Sequence, residues 1–348
     1  MKRLLWTAAS LAILAMVTGQ ALAQPVPIVF DTDMGNDVDD ALALGLIHAL
    51  QSRGECRLLA VTLTKCEPLA ATFTDAVNTF YGRGNVPIGL VRNGPTPGPG
   101  RFLKLAEERD GEKLRYPRGL QDGNDAPDAT VLLRKVLAGQ ADKSVVFVQV
   151  GFSTNLARLL DSPADDISPL SGRDLVAQKG KLLAMMAGSF QPIHGKRHLE
   201  YNVIKDIPAA KTLAAQWPTP ILWSGYEIGI AIPYPAVSIE QDYDYVAHHP
   251  VAEAYCLYMP PPHNRPTWDL TCVLQVVRPD RGYFGISQPG RVTIADDGGT
   301  QFEADPNGLH RYLTVDANQC AKITEAFVNL CSQPPCSGPL DDDGKESQ

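Results

Sequence analysis

Five carboxylates crowd the segment Asp31-Thr-Asp33-Met-Gly35-Asn36-Asp37-Val-Asp39-Asp40, directly after the apolar run Pro27-Ile-Val-Phe30. The pattern predicts that a buried strand ends here and a helix begins, because Val38–Leu50 has the apolar density of a core helix. Like charges gathered at the carboxyl end of a strand repel one another unless something positive sits among them. A hard divalent cation accepts mixed carboxylate, carbonyl and water oxygens, so these residue types predict a metal site and, with it, an active site. A solvated acidic turn that caps the helix accounts for Asp37 and Asp39, but not for Asp31 and Asp33 at the end of an apolar strand. An EF-hand loop does not fit, since Gly35 is the fifth residue instead of the sixth and Leu42 stands where the twelfth-position Glu belongs.

Elements that would position these groups follow from the periodicity. Strands are expected over Val26–Phe30, Arg57–Thr64, Val86–Val91, Ser144–Val150, Leu182–Ala187 and Ile221–Ser224. Helices are expected over Val38–Leu50, Leu69–Tyr81, Ala129–Ala138, Thr154–Leu160 and Pro208–Gln216. The alternation predicts an α/β fold with a single doubly wound, mostly parallel sheet and helices on both faces. In such sheets ligands bind outside the carboxyl ends of the strands, where Asp31–Asp40 would lie. Asn93–Asn124, rich in Gly, Pro and charge, reads as a long loop or insertion near the sheet edge. Tyr283–Val315, with Asp-Asp-Gly-Gly at its centre, reads as a late antiparallel hairpin, followed by a helix over Asn318–Leu330.

The ends of the 348-residue chain differ from its middle. Lys2 and Arg3, the apolar run Leu4–Val17 and Ala21-Leu-Ala23 have the layout of a secretory signal peptide over residues 1–23. The expected product begins near Gln24 and is periplasmic or secreted, with a globular domain over 24–337 and an acidic disordered tail over 338–348. Loss of Lys2 and Arg3 would take the formal net charge from −8 to −10, two positive charges fewer. That balance argues against nucleic-acid partners, and no later apolar run is long enough for a membrane span in the mature form. Seven cysteines in an exported chain permit disulfides but leave at least one thiol free, and Cys331 and Cys336 are spaced to close a small loop. No Cys-x-x-Cys spacing suggests zinc.

A strand followed by Asp-x-Asp is also found in haloacid-dehalogenase phosphatases, but Gly35 occupies the position where those enzymes carry Thr or Val. The segment Asp31-Thr-Asp33-Met-Gly35-Asn36-Asp37-Val-Asp39-Asp40-Ala-Leu-Ala-Leu instead resembles the N-terminal signature of the inosine-uridine nucleoside hydrolases, in its form with two extra residues before the Asp-Asp pair. Gly151-Phe-Ser-Thr154-Asn155 resembles the family's Leu-Thr-Asn turn, Glu200-Tyr-Asn202 its Glu-Phe-Asn, and Trp268-Asp269 its His-Asp pair. The resemblance implies that Asp33, Asp40, Asp269 and the Thr154 carbonyl hold one Ca2+. It implies that Asp33 takes a proton from a water, that Asp39 bonds the sugar diol, and that Glu200 and Asn202 fix the 5′ side, with Asn155 and Trp268 also at the substrate. The implied reaction is calcium-dependent cleavage of the N-glycosidic bond of a riboside, with a homo-oligomer in keeping with the family.

Three positions depart from the family pattern. Trp268 replaces the histidine that serves the leaving base. Thr64-Lys65-Cys66-Glu67 stands where an asparagine is expected after the second strand, so Lys65 is expected to point into the site. The asparagine before Glu200 is replaced near His194. Leaving-group acids are therefore sought among His194, His198 and His263, each of which, taken singly, reads more readily as a surface loop histidine. Two functions follow: a calcium-dependent ribohydrolase with a different acid, or an exported riboside-binding protein with little turnover. Retention of Asp33 favours the enzyme. Trp223-Ser-Gly-Tyr226-Glu227 is expected to end a strand beside the pocket, whereas Asp75 and Asn78 read as surface or helix-packing residues.

Overall fold

The structure, a computed structural model, describes residues 24–335. The expected signal segment 1–23, the acidic tail 338–348 and Cys336 lie outside the described residues. In chain order, β1 (Val26–Thr32), α1 (Asp39–Ser52), β2 (Cys56–Leu63), α2 (Pro68–Phe80) and β3 (Ile88–Leu90) build the first half-sheet. The chain returns through α3 (Ala129–Ala138), β4 (Val145–Gln149), α4 (Thr154–Asp161), α5 (Gly172–Lys179) and β5 (Gly180–Met186). It continues through α6 (Tyr201–Lys205), α7 (Ile207–Gln216), β6 (Ile221–Ser224), α8 (Tyr226–Ala231) and α9 (Ala236–Gln241). Next come α10 (Pro250–Tyr258) and α11 (Trp268–Val277). Last are β7 (Gly285–Ile286), β8 (Gly290–Ile294), β9 (Thr300–Ala304), β10 (His310–Thr314) and α12 (Ala317–Cys331).

The strands order as β9-β8-β10-β6-β5-β4-β1-β2-β3, with β7 paired to β10. From β3 through β6 every neighbouring pair is parallel. The order reverses between β1 and β4, which makes the crevice above their carboxyl ends the place where such a sheet binds ligands. The doubly wound, mostly parallel sheet expected from the alternation is the one observed. The late hairpin is present as β8 and β9, antiparallel across the Asp296–Gly299 turn. Its surroundings differ from expectation, because β10 runs parallel to β6 and extends the main sheet.

Alternation of side chains divides the core into two layers. Ile28, Phe30, Val146, Val148, Ala184 and Met186 face the layer that contains the apolar residues of α1, α2, α10, α11 and α12. Val29, Val145, Phe147, Leu183 and Met185 face the layer with those of α4, α5 and α7. Both faces being covered explains why these strands read as continuous apolar runs. Helices α5, α6 and α8 to α11 were not anticipated; α5 has too few apolar residues to carry a 3.6-residue pattern, while α10 and α11 are apolar nearly all round. The six cysteines among the described residues, Cys56, Cys66, Cys256, Cys272, Cys320 and Cys331, are free thiols. Asp75 and Asn78 are buried helix-packing residues: Asp75 accepts from Leu120 N at 2.6 Å and Asn78 bonds His48 at 2.8 Å. Trp223 is wholly buried in the second layer.

The turn after β4 presses against the turn after β1. A Cβ at Gly151 would lie 2.5 Å from Asp33 N and collide with Thr64 Oγ1, so only glycine permits this approach. Gly151→Ala should therefore lower stability by about 1–3 kcal/mol, as overpacking does. Thermal unfolding checks this, and an unchanged Tm would show that the two turns are not in contact.

Candidate active site

The crevice at the reversal of strand order collects four segments. The end of β1 contributes Asp31, the turn after it Asp33, Asn36 and Asp37, and the first turn of α1 Asp39 and Asp40. The turn after β4 opens α4 with Thr154 and Asn155. Helix α11 begins with Trp268 and Asp269. The short helix α6 is entered through Glu200, whose carboxyl feels the charge of Asp33.

Oxygens of Asp39, Asp40 and Asp269, all buried, lie within 4.8 Å of one another. Asp40 accepts a bond from the Thr32 hydroxyl through Oδ1, while its buried Oδ2 has no hydrogen-bond partner. Asp39 Oδ2 accepts from the backbone N of Asp269 at 3.2 Å. Burial pushes all three carboxyls well above their usual range, and repulsion from neighbouring carboxylates adds to it; Asp33 is the charge that acts most strongly on Asp40. Three carboxylates with an orphaned oxygen and no cation among them fit a hard divalent ion. Asp33, pushed up to about 6 by burial, receives Asn36 Nδ2 on Oδ2 at 2.7 Å. The expected metal ligands Asp40 and Asp269 are thus brought together, with Asp39 as their third partner, and Asp33 stands alongside, bonded to Asn36.

Thr154 donates its hydroxyl to Asp206, the residue that caps α7. Asn155 donates to Asp31 Oδ1 at 2.8 Å, and its own buried Oδ1 has no partner. Asp31, pushed up to about 7 by burial, also accepts from Thr62 at 2.6 Å. It ties β1, β2 and α4 together instead of facing a ligand. Glu200 accepts backbone N–H groups from Asn202 at 2.7 Å and from Val203 and Gly188 at 3.1 Å. Burial still pushes its carboxyl up to about 7. Asn202 donates to the carbonyls of Val150 at 2.8 Å and Met186 at 3.2 Å. Glu200 and Asn202 therefore also hold α6 to the ends of β4 and β5.

Trp268 is half-buried and its indole N–H is committed to Tyr226 O at 2.9 Å. Its ring lies against Tyr226 with centroids 5.3 Å apart, and Tyr226 in turn lies 3.8 Å from the ring of His198. Of the three candidate histidines, His198 thus joins the aromatic wall beside Asp269. His263 stacks on Tyr255 at 4.5 Å, and His194 is exposed. Burial pushes both His198 and His263 below the usual imidazole range.

Residue reading missed one group outright. Arg265 clamps Asp37 with Nε at 2.8 Å and with Nη2, and its guanidinium lies over Tyr258 and Trp268 at 4.8 and 5.3 Å. Asp37 belongs to the extended signature, so an added carboxylate in need of a cation was the available signal. The long loop over Asn93–Asn124 leaves the edge strand β3 as expected but folds back: Thr96 bonds Asn36 and Lys65, and Leu103 packs against Gly35. A cleft of about 1350 Å3 opens at the opposite end of the strands beside Val26, Arg57, Val86 and Lys135 and contains none of the site carboxylates.

A carboxyl whose folded pKa is raised loses stability for the fold as pH rises through that value. Asp40→Asn should accordingly raise the Tm of the metal-free protein at pH 8 and abolish the further rise produced by a divalent cation. A lower metal-free Tm, or a retained cation response, would contradict the electrostatic picture of the cluster.

A family model described as inosine-uridine preferring nucleoside hydrolase matches residues 28–296. No curated protein sequence matches the chain. Among solved structures, an inosine-uridine preferring nucleoside hydrolase from Bacillus anthracis matches with a TM-score of 0.63 at 17% identity, over 88% of this chain and 99% of that one. A plant nucleoside hydrolase matches with a TM-score of 0.65 at 18% identity, over 89% and 100%. A purine-preferring ribonucleoside hydrolase from Gardnerella vaginalis matches with a TM-score of 0.65 at 17% identity, over 88% and 98%. The structural likeness is one of fold, and the family model runs from β1 past the last of the site carboxylates. The chain therefore belongs to the inosine-uridine preferring nucleoside hydrolase family and is a hydrolase acting on N-glycosyl compounds.

Proposed function

We propose that this protein uses Ca2+ to hydrolyse the N-glycosidic bond of a ribonucleoside or related riboside, releasing ribose and the aglycone. The observation that carries this reading is the buried trio Asp39, Asp40 and Asp269, with Asp33 beside it, in the crevice where the strand order reverses. Asp40 and Asp269, with Asp33 and the Thr154 carbonyl, would hold the ion. When bound, Ca2+ would orient a water and the vicinal diol of the sugar and make that water easier to deprotonate. An all-oxygen donor set favours such a hard ion over zinc.

The remaining chemistry belongs to the side chains. Asp33 accepts from Asn36 through one oxygen and takes the proton of the attacking water on the other. Asp39 bonds the diol. The carboxylates crowded under the sugar stabilise the positive charge that develops in an oxocarbenium-like transition state. Glu200 and Asn202 fence the 5′ side, and Asn155 offers its unpartnered Oδ1 to the sugar. Trp268 cannot donate a proton to the aglycone, since indole is not an acid at neutral pH and its N–H is already engaged. It covers the sugar or stacks on a base with Tyr226 behind it, and proton delivery falls to His198 or to water.

The test is release of reducing sugar from a panel of purine and pyrimidine ribonucleosides, with calcium and after chelation. Calcium-dependent release is expected, and Asp33→Asn should abolish turnover while sparing much of the binding. Calcium-linked binding of ribosides with no release from any of them would replace the hydrolase with the binding-protein reading. A separate expectation concerns pH. Protons compete with the cation for carboxylates whose pKa values are raised, Asp33 to about 6 and Asp40 and Asp269 higher than usual. The rise in Tm caused by calcium should therefore be larger at pH 8 than at pH 5. Buried His48 and His249, both pushed down to about 3 by burial, weaken the fold as pH falls below about 6.5. They do so with and without calcium, so they cancel in this difference. An equal or smaller rise at pH 8 would count against carboxylate ligation.

A further inference from the structure

Lys65 is a buried cation that the mechanism above does not use. It is 3% exposed, two residues past the end of β2, and burial pushes its ammonium below the usual range. Among the described residues it makes no direct ion pair. Its Nζ donates instead to two neutral oxygens, Asn36 Oδ1 at 2.9 Å and Thr96 O at 2.9 Å. The charges that act on it are those of Asp33, Glu67 and Asp40.

The first of those bonds decides the orientation of the Asn36 amide. An amide side chain is nearly symmetric in shape, and its neighbours settle which end is oxygen. An ammonium can only donate, so it selects the oxygen. The NH2 group is then left to face Asp33 Oδ2 at 2.7 Å and Thr96 Oγ1 at 3.0 Å. With the amide reversed, its oxygen would meet the Asp33 carboxylate and repel it. Thr96 sits at the tip of a loop seated on the signature turn, where Cys66 N donates to Pro95 O at 3.2 Å. Lys65, Asn36 and Asp33 thus form one chain of donors ending on the carboxylate that handles the water.

We propose that Lys65 is a positioning residue for Asp33. Through the Asn36 amide it fixes the carboxylate for proton transfer, and as a buried cation beside Asp33 and Asp40 it loosens the hold of the site on its divalent ion. The inference rests on the hydrolase reading. Its signature is two effects of opposite sign, slower turnover and tighter metal, which a residue with a merely structural role would not produce.

The test uses the full mature chain with Lys65→Met and Asn36→Ala, titrating Ca2+ alone by calorimetry and measuring kcat and KM on a riboside that the wild type hydrolyses. Lys65→Met should lower kcat by about 10–100-fold, as misplacement of a reacting group does, with KM changed little. It should also tighten Ca2+ binding by about tenfold, since a like charge is removed. Asn36→Ala should lower kcat similarly without tightening Ca2+, because the ammonium stays. Lys65→Arg should keep the weaker Ca2+ binding. Unchanged kcat in Lys65→Met, or Ca2+ bound more weakly by it, would overturn the proposal while the wild-type turnover upholds the hydrolase. A wild type that releases no sugar from any riboside would overturn the hydrolase reading and the positioning role with it. Should Lys65→Met fail to fold, loss of kcat in Asn36→Ala still decides for the relay, and full activity there decides against it.

Discussion

Repulsion among buried carboxylates is the constraint around which this molecule is arranged. Asp33, Asp39, Asp40 and Asp269 meet where β1 and α11 converge, and each has its carboxyl raised by burial. The fold accommodates them in three ways. Asp37 is neutralised directly by Arg265. Asp39 accepts a backbone N–H and Asp40 a hydroxyl. Asp33 faces an amide whose direction a buried ammonium sets. What these contacts leave uncompensated is charge suited to a cation, and a transition state with positive charge on the sugar draws on the same surplus.

Much of this was legible in the chain because the strands are short apolar runs and the helices between them begin with recognisable signals. Pro68 opens α2 and Asp128 caps α3, so alternation alone yields the doubly wound sheet. Helices α10 and α11 escaped because buried helices lack the one-sided stripe that marks an amphipathic one. The carboxylate cluster was visible as charge density next to an apolar strand. Its third member in space, Asp269, came only through resemblance, since a single Asp at a helix start has many uses. Contacts made by the loop were beyond sequence reasoning: a Gly- and Pro-rich stretch announces a turn but not what it returns to, and Thr96 meets Asn36 across 60 positions.

The departures from the family pattern divide the site by function. On the proposed reading, residues around the cation and the sugar keep their types, whereas those on the aglycone side differ, with Trp268 in place of a histidine and an aromatic wall made from Tyr226 and His198. Glu200 and Asn202 serve two tasks, since the bonds that point them at the crevice also lock α6 to the sheet. Such double use ties pocket shape to core integrity, and substitutions there will act on both.

Asp39 and Asp269 are 230 positions apart yet joined by one hydrogen bond. An ion held, as proposed, by the neighbouring Asp40 and by Asp269 would close a loop embracing most of the polypeptide, and so work as a non-covalent cross-link between the first helix and the eleventh. The entropy of closing a loop grows only slowly with its length, but a clasp of this span removes many open arrangements at once, as a long-range disulfide does. In a chain whose described cysteines are all unpaired, the site would then also staple distant parts of the sequence, so that catalytic competence and topological closure are established together.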